Sequence, residues 1–221
     1  AIYFMINNIQ RTKVLEIRFL TKTTFCLKIE RKDFKFIPGQ CVNIGLVGSA
    51  VNREYSTYSG IFDNYLEFLI RKIEDGAVST GLSQLNPGEE VTLDGAYGKF
   101  TIVNPNRKQK YIFIGSGTGI APFHSFVKSY PKIDYQIIHG IRLSSEQYDR
   151  VDYKTGRYIA CVSKGKGGDF SGRVTDYLKK KDLLPNAYYY LCGNKAMIND
   201  VYDILNAKGI NGSNIFTEVF F

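Results

Sequence analysis

Apolar residues recur along this chain with two different rhythms. Up to about residue 105 they alternate with polar ones or gather in short β-prone runs. TFCLKIE sets Phe25, Leu27 and Ile29 on one face, and YLEFLIRK, which contains Ile70, is dense in strand formers. PGQ, NPGEE and DGAYG place turns between such runs at the spacing of an antiparallel barrel or sandwich, with one short helix expected over residues 79–85. From Lys110 onward the rhythm changes. YIFIG, YQIIHG, YIACV and YYYLCG are short buried-strand runs, and three of them precede helical stretches, residues 120–129, 172–181 and 195–208. Strands alternating with helices imply a parallel sheet with crossovers. The pattern therefore predicts an N-terminal antiparallel β-barrel, residues 1–104, followed by a doubly wound parallel-sheet α/β domain, residues 105–221. The seam falls in the polar stretch NPNRKQK. In such a sheet ligands sit beyond the strand C-terminal ends.

Composition narrows the function. Hydrophobic residues at 44% and charged residues at 23% are a globular balance, and no apolar run approaches the roughly 20 residues that a membrane span requires. The opening AIYFMI is short for a signal peptide. Cys26, Cys41, Cys161 and Cys192 are far apart and form no CxxC pair, so neither a zinc site nor an iron–sulfur cluster is expected. A reduced, cytoplasmic monomer is the expectation, with no membrane partner. The formal charge of +8 is uneven: residues 1–105 hold 12 Lys and Arg against 11 acids, and residues 106–221 hold 17 against 10. A basic half attracts nucleic acid, a phosphorylated cofactor or an acidic protein. The one dense run, Lys179 to Lys181, reads as the solvated end of a helix, and no nucleic-acid motif accompanies it. Nucleic acid is therefore not the expected partner.

The phosphorylated cofactor has a place to bind. YIFIGSGTGIAPF runs from strand through Gly115, Gly117, Thr118 and Gly119 into a helix. Glycines permit a tight turn and close backbone approach, and the helix start offers unpaired amides with a positive dipole. Pro122 suits a first helical turn. A P-loop would need Lys then Ser or Thr after the last glycine, where Ile120 and Ala121 stand. Arg142 follows the second parallel strand, Ser163 and Lys164 follow the third, and Arg173 enters the next helix. Each alone would be an ordinary surface residue; together they line one sheet edge. A ribose hydroxyl at the second strand favours a carboxylate and a 2′-phosphate favours Arg, Lys and Ser. With Arg142 there and no acid beside it, NADP(H) is preferred over NAD(H). His124, on the loop helix, and His139, ending a strand, read as structural.

In the first half, NREYSTYSG offers Arg53, Tyr55 and Ser56 on one strand, with Arg53 and Tyr55 on one side and Ser56 on the other. An Arg can bind pyrophosphate, a Tyr ring can stack on a heterocycle, and a Ser can hydrogen-bond a ring nitrogen. This trio resembles the RxYS flavin signature of the ferredoxin/flavodoxin–NADP reductase superfamily, and the bacterial-type ferredoxin–NADP+ reductases in particular. Further segments match in order: FIPGQ before the flavin strand, DGAVSTGL, GTGIAP, GRVTDYL, LCGNKAMIND and the final EVFF.

The resemblance implies FAD and NADP(H) as cofactors, FMN being the alternative flavin. It sets Ile70, Gly76, Ala77, Val78 and Ser79 with Arg53, Tyr55 and Ser56 around the flavin. It sets Gly117, Thr118, Gly119, Arg142, Ser163, Lys164, Arg173 and Gly193 around the nucleotide. It puts Ser56, Cys192, Glu218 and Phe220 about the reacting atoms, with Phe220 over the flavin face and Phe221 near the adenine end. Lys164 stands where the family often has Arg, and Phe220 where a Tyr is usual. The implied activity is hydride transfer from NADPH to flavin, then single-electron transfer to ferredoxin or flavodoxin, both acidic proteins. An oxygenase reductase component and a non-redox nucleotide-binding regulatory protein are the alternatives.

Overall fold

Alternation in the strand Thr24–Glu30 (β2) drives Phe25, Leu27 and Ile29 fully out of water, each burial being worth about 1.5–3 kcal/mol. The computed structural model describes residues 9–106 and 108–220 and places β2 in the first of two compact units, Ala1–Thr101. The other strands of this unit are Gln10–Thr21 (β1), Cys41–Leu46 (β3), Asn52–Ser56 (β4), Tyr65–Arg71 (β5) and Glu90–Tyr97 (β6). They form one sheet in the order β4-β3-β6-β1-β2-β5 with every pairing antiparallel. Just past β4 the chain bridges to β5, Thr57 opposite Phe68, and the Tyr58 amide donates to the Glu67 carbonyl at 2.7 Å. The sheet thus closes into a barrel, which leaves no long unpaired edge. Val14, Phe25, Leu27, Ile29, Val42, Ile44, Leu66, Phe68, Val91 and Leu93 fill it.

Among its described residues this unit has one α-helix, Ala77–Leu82 (α1), which starts before and ends before the expected 79–85. The first intrahelical bond runs from the Thr80 amide to the Gly76 carbonyl, and the Ser83 hydroxyl, donating to the Thr80 carbonyl at 2.7 Å, closes the last turn. A serine side chain that competes for a helix carbonyl ends the helix there.

The second unit, Ile102–Phe221, is a parallel sheet. Its strands are Lys110–Ser116 (β7), Asp134–Ile141 (β8), Tyr158–Val162 (β9), Phe170–Ser171 (β10), Tyr188–Gly193 (β11) and Ile215–Val219 (β12), in the order β10-β9-β8-β7-β11-β12. The two-residue β10 lies inside a stretch whose glycines and charges give no strand signal. Helices Ala121–Ser129 (α2), Val174–Lys179 (α3) and Lys195–Ala207 (α4) fall inside the predicted stretches.

The two faces of this sheet differ in kind. On one, Phe113 stacks on Phe123 of α2 at 5.0 Å and meets Phe126, Tyr135 and Tyr190. On the other, Ile112, Ile114, Ile138, Tyr189 and Leu191 pack with Val174, Leu178, Met197, Ile198, Val201 and Leu205 from α3 and α4. Strand order reverses between β7 and β11, so the exits of those two strands flank the switch point.

Candidate functional site

The loop leaving β7 is shaped by contact with the end of β11. Gly117–Ile120 form a 3-10 turn that leads into α2, with Pro122 in its first turn. A β-carbon on Gly119 would lie 2.7 Å from the carbonyl carbon of Cys192 and from Cα of Gly193, with the Cys192 carbonyl oxygen closer still. Backbone lies against backbone there, so only glycine fits. Gly117 has φ +54 and open space over its Cα, which leaves room for a ligand to approach the chain. Ser116 is tied to the start of α4: its Oγ accepts from the Asn194 amide and from Asn194 Nδ2, both at 3.1 Å. Asn194 Oδ1 in turn caps α4 by accepting from the Met197 amide.

Beneath this loop lies His139 of β8, fully buried. Its Nε2 is 2.7 Å from the Gly117 carbonyl oxygen and its Nδ1 is 2.7 Å from the Tyr158 hydroxyl. A carbonyl only accepts, so Nε2 carries the proton, and Nδ1 accepts from Tyr158. Burial lowers the imidazole pKa from 6.5 to about 4, against the opposing pull of Gly117, so the ring is neutral near pH 7. His124 is also buried and meets Asp152 at 2.8 Å. His139, Ser116 and Asn194 are absent from the sequence-derived site. The signal for His139 was an imidazole at a strand end, two residues after the inward Ile137.

Arg142, Ser163 and Lys164 all emerge exposed where β8 and β9 end. The Lys164 amide donates to the Arg142 carbonyl at 2.8 Å, and the Ser163 amide and hydroxyl both donate to the Ile141 carbonyl. Arg173 is exposed at the start of α3, where its amide donates to Asp176 Oδ2. The expectation that no acid stands beside Arg142 is corrected here. The turn Ser144–Glu146 folds back on the end of β8, and Glu146 Oε2 accepts from the Arg142 amide at 2.7 Å and the Leu143 amide at 3.3 Å. An acid four residues along the chain is invisible to an inspection of immediate neighbours.

Parallel pairing of β11 with β12 sets Cys192 opposite Glu218. The Cys192 thiol faces Glu218 Oε2 at 3.9 Å; burial pushes its pKa well above the ordinary value, and the nearby carboxylate adds to the shift. The thiol is a neutral donor here. The Phe220 amide donates to the Gly193 carbonyl at 2.8 Å, which fixes the backbone of Phe220 at the exit of β11 with its ring half-buried. Phe221 lies outside the described residues.

In the first unit, β4 runs from exposed Arg53 to half-buried Tyr55 and buried Ser56. Tyr55 packs against the barrel core, and its hydroxyl pKa is raised to about 12 by burial, opposed by the Arg53 charge nearby. The Arg53 guanidinium donates to the Asn52 carbonyl and is otherwise turned to solvent. At α1, the amides of Ala77, Val78 and Ser79 precede the first intrahelical bond and have no acceptor within the helix. A cation, a flanking aromatic ring and unsatisfied amides are the donor set that suits a pyrophosphate joined to a flat heterocycle.

Two side chains expected at this site are used elsewhere. Ile70 is wholly buried in the barrel core because its position in β5 points inward, so its side chain is not open to a ligand. The Ser79 hydroxyl is buried and accepts from the Ile73 amide at 3.1 Å, leaving its backbone amide as its outward donor. Among the described residues no group of His, Cys, Asp and Glu could hold a metal ion, and no helix is long and apolar enough to cross a membrane.

Comparison with known proteins covers both units. Residues 15–102 match the family model described as oxidoreductase FAD-binding domain, and residues 113–203 that described as oxidoreductase NAD-binding domain. The chain is 30% identical over 224 residues to the toluate 1,2-dioxygenase electron transfer component of Pseudomonas putida, an alignment covering 94% of this chain and 66% of that protein. It thus spans just under two thirds of that relative. With the ferredoxin–NADP reductase of Azotobacter vinelandii it shares 24% identity, covering 92% of each chain. A ferredoxin NADP+ reductase from Neisseria gonorrhoeae, solved with bound FAD and NADP, superposes with a TM-score of 0.86 at 22% identity, covering 96% of this chain and 99% of that one.

Proposed function

Since the chain belongs to the ferredoxin/flavodoxin–NADP reductase superfamily, with an FAD-binding and an NAD-binding oxidoreductase domain, we propose that it is an NADPH-dependent flavoprotein reductase that passes electrons to ferredoxin or flavodoxin. The observation that carries this reading is the glycine loop at the β7–β11 switch point, with Arg142, Lys164 and Arg173 at the neighbouring exits.

A bound flavin supplies a ring that accepts a hydride and releases single electrons. The chain's own residues bind and orient. Arg53 and the first α1 amides hold the flavin pyrophosphate, Tyr55 stacks on the ring, and Ser56 hydrogen-bonds it. Gly117 to Gly119 let the dinucleotide pyrophosphate approach the backbone, while Arg142, Ser163, Lys164 and Arg173 meet the 2′-phosphate. Gly193, whose Cα lies against Ser116, lets the ends of β7 and β11 close together, and the Cys192 thiol, Glu218 and the Phe220 ring at that exit would border a bound nicotinamide and exclude water from it.

The Glu146 carboxylate opposes the cations at the phosphate end, but it is engaged by two amides. The excess of Lys and Arg in residues 106–221 suits an acidic protein acceptor. The 30% identity to a dioxygenase electron transfer component supports a second reading, a reductase serving an oxygenase.

The test is to purify the full chain, identify the flavin released on denaturation by mass, and compare NADPH with NADH in bleaching its absorbance. Turnover is then measured with flavodoxin, with ferredoxin and with an oxygenase iron–sulfur component. A colourless protein that takes up no flavin refutes the proposal. A preference for NADH refutes the assignment of the three cations. Turnover confined to the oxygenase component selects the second reading.

A further inference from the structure

The peptide joining Gly117 to Thr118 is held from below. Its carbonyl oxygen accepts from His139 Nε2 at 2.7 Å, inside the unit, and His139 is itself fixed by the Tyr158 hydroxyl at Nδ1. In a trans peptide the C=O and the following N–H point in opposite directions. With the Gly117 carbonyl drawn inward, the Thr118 amide must face outward, beside the open space over Gly117. That amide has no acceptor among the described residues. The imidazole cannot release the carbonyl by turning over. A flipped ring would set carbon atoms against both Gly117 and Tyr158, and the other neutral tautomer would set the Nε2 lone pair against the Gly117 carbonyl oxygen.

We infer that His139 is a positioning residue for dinucleotide binding, which through the Gly117 carbonyl orients the Thr118 amide toward the pyrophosphate. Tyr158 acts one step further back by selecting the ring tautomer. This inference rests on the reading of the β7 loop as the dinucleotide site. It assigns a part in that site to a residue that touches no ligand.

The test measures NADP+ binding by calorimetry, and separately kcat and KM for NADPH, on the full flavin-loaded chain carrying single substitutions. His139→Phe keeps a flat ring but removes both hydrogen-bonding nitrogens. Its dissociation constant and KM should rise about tenfold, the scale of stranding a buried carbonyl, with kcat at saturating NADPH within about twofold of the parent. His139→Gln carries an N–H near the Nε2 position and should bind within about threefold of the parent. His139→Asn, whose amide reaches only as far as Nδ1, should bind as weakly as the Phe variant. The Gln and Asn pair keeps the question answerable if the Phe variant does not fold.

Equal weakening by Gln and Asn, with thermal midpoints falling in step, means that His139 only packs the core and overturns the inference. Binding of the Phe or Asn variant at parental strength overturns it as well. A parent that binds neither NADP+ nor NAD+ refutes the functional reading and this inference with it, whereas a parent that binds beside indifferent variants refutes this inference alone.

Discussion

Replacing His139 by Gln should remove a pH dependence of stability that the parent protein shows between about pH 4 and 6.5. In the folded chain the imidazole is completely buried between Gly117 and Tyr158 and its pKa falls to about 4, whereas in the unfolded chain it returns to 6.5. Between those values the unfolded state binds a proton that the folded state refuses, so stability rises with pH across that window. Below about pH 4 both states are protonated and the dependence ends. At about 1.36 kcal/mol per pKa unit, a shift of about 2.5 units amounts to about 3 kcal/mol gained from one end of the window to the other.

Urea unfolding followed by circular dichroism at half-unit intervals from pH 4 to pH 7.5 gives the free energy for parent and variant. Carboxylates titrate in both proteins, and taking the difference between the two curves removes them. The difference should grow in favour of the parent by about 3 kcal/mol from pH 4 to pH 6.5 and then level off. A flat difference, or one that grows as pH falls, would show that His139 is charged or solvated in the folded protein. The tautomer assignment would then fail.

Gly119→Ala should destabilise the second unit by about 1–3 kcal/mol in urea, because the added carbon meets the backbone of Cys192 and Gly193 rather than a movable side chain. A melting curve like the parent's would show that the loop does not lie against β11. Treatment with a disulfide reagent near pH 8 should modify half-buried Cys41 well before Cys26, Cys161 and Cys192, all buried, the last two with pKa values raised by burial. Peptide mapping that finds Cys192 labelled first would contradict the neutral thiol beside Glu218. Glu146→Gln retains an oxygen to accept from the Arg142 and Leu143 amides while removing a negative charge from the strand exits. The ratio of kcat/KM for NADPH to that for NADH should rise by about threefold, roughly the worth of one partly screened charge. An unchanged ratio would place the 2′-phosphate elsewhere.

Where a property is carried by residues near one another in sequence, the sequence displays it. The inward set Phe25, Leu27 and Ile29 follows from a period of two, and the exchange of strand runs for strand–helix units marks the change to a parallel sheet. YYYLCG is less transparent. Because both faces of a parallel sheet are covered, three tyrosines in a row read as continuous apolar chain, and only the neighbours reveal that Tyr188 and Tyr190 join the aromatic face while Tyr189 joins the aliphatic one. The candidate site could be proposed from the sequence at Arg53, Tyr55 and the glycine loop, where several residues of one motif are contiguous. It was hidden where contacts close over longer spans: His139 meets Gly117 across 22 residues, and Glu146 returns to Arg142 through a turn that composition does not mark. Ile70 is a different case. A position selected by resemblance to a family can be occupied by a side chain that the barrel interior has already claimed.

The aromatic face of the second unit also gives the protein an intrinsic optical label. The chain has 16 tyrosines and no tryptophan, and Tyr111 lies 6.1 Å from Tyr188 and 6.4 Å from Tyr190, while Tyr190 stacks on Phe216 at 4.5 Å. Rings held at fixed angles in a chiral packing produce exciton-coupled ellipticity that vanishes when the packing loosens. Melting of this face can therefore be watched in unmodified protein, with no indole emission to mask it.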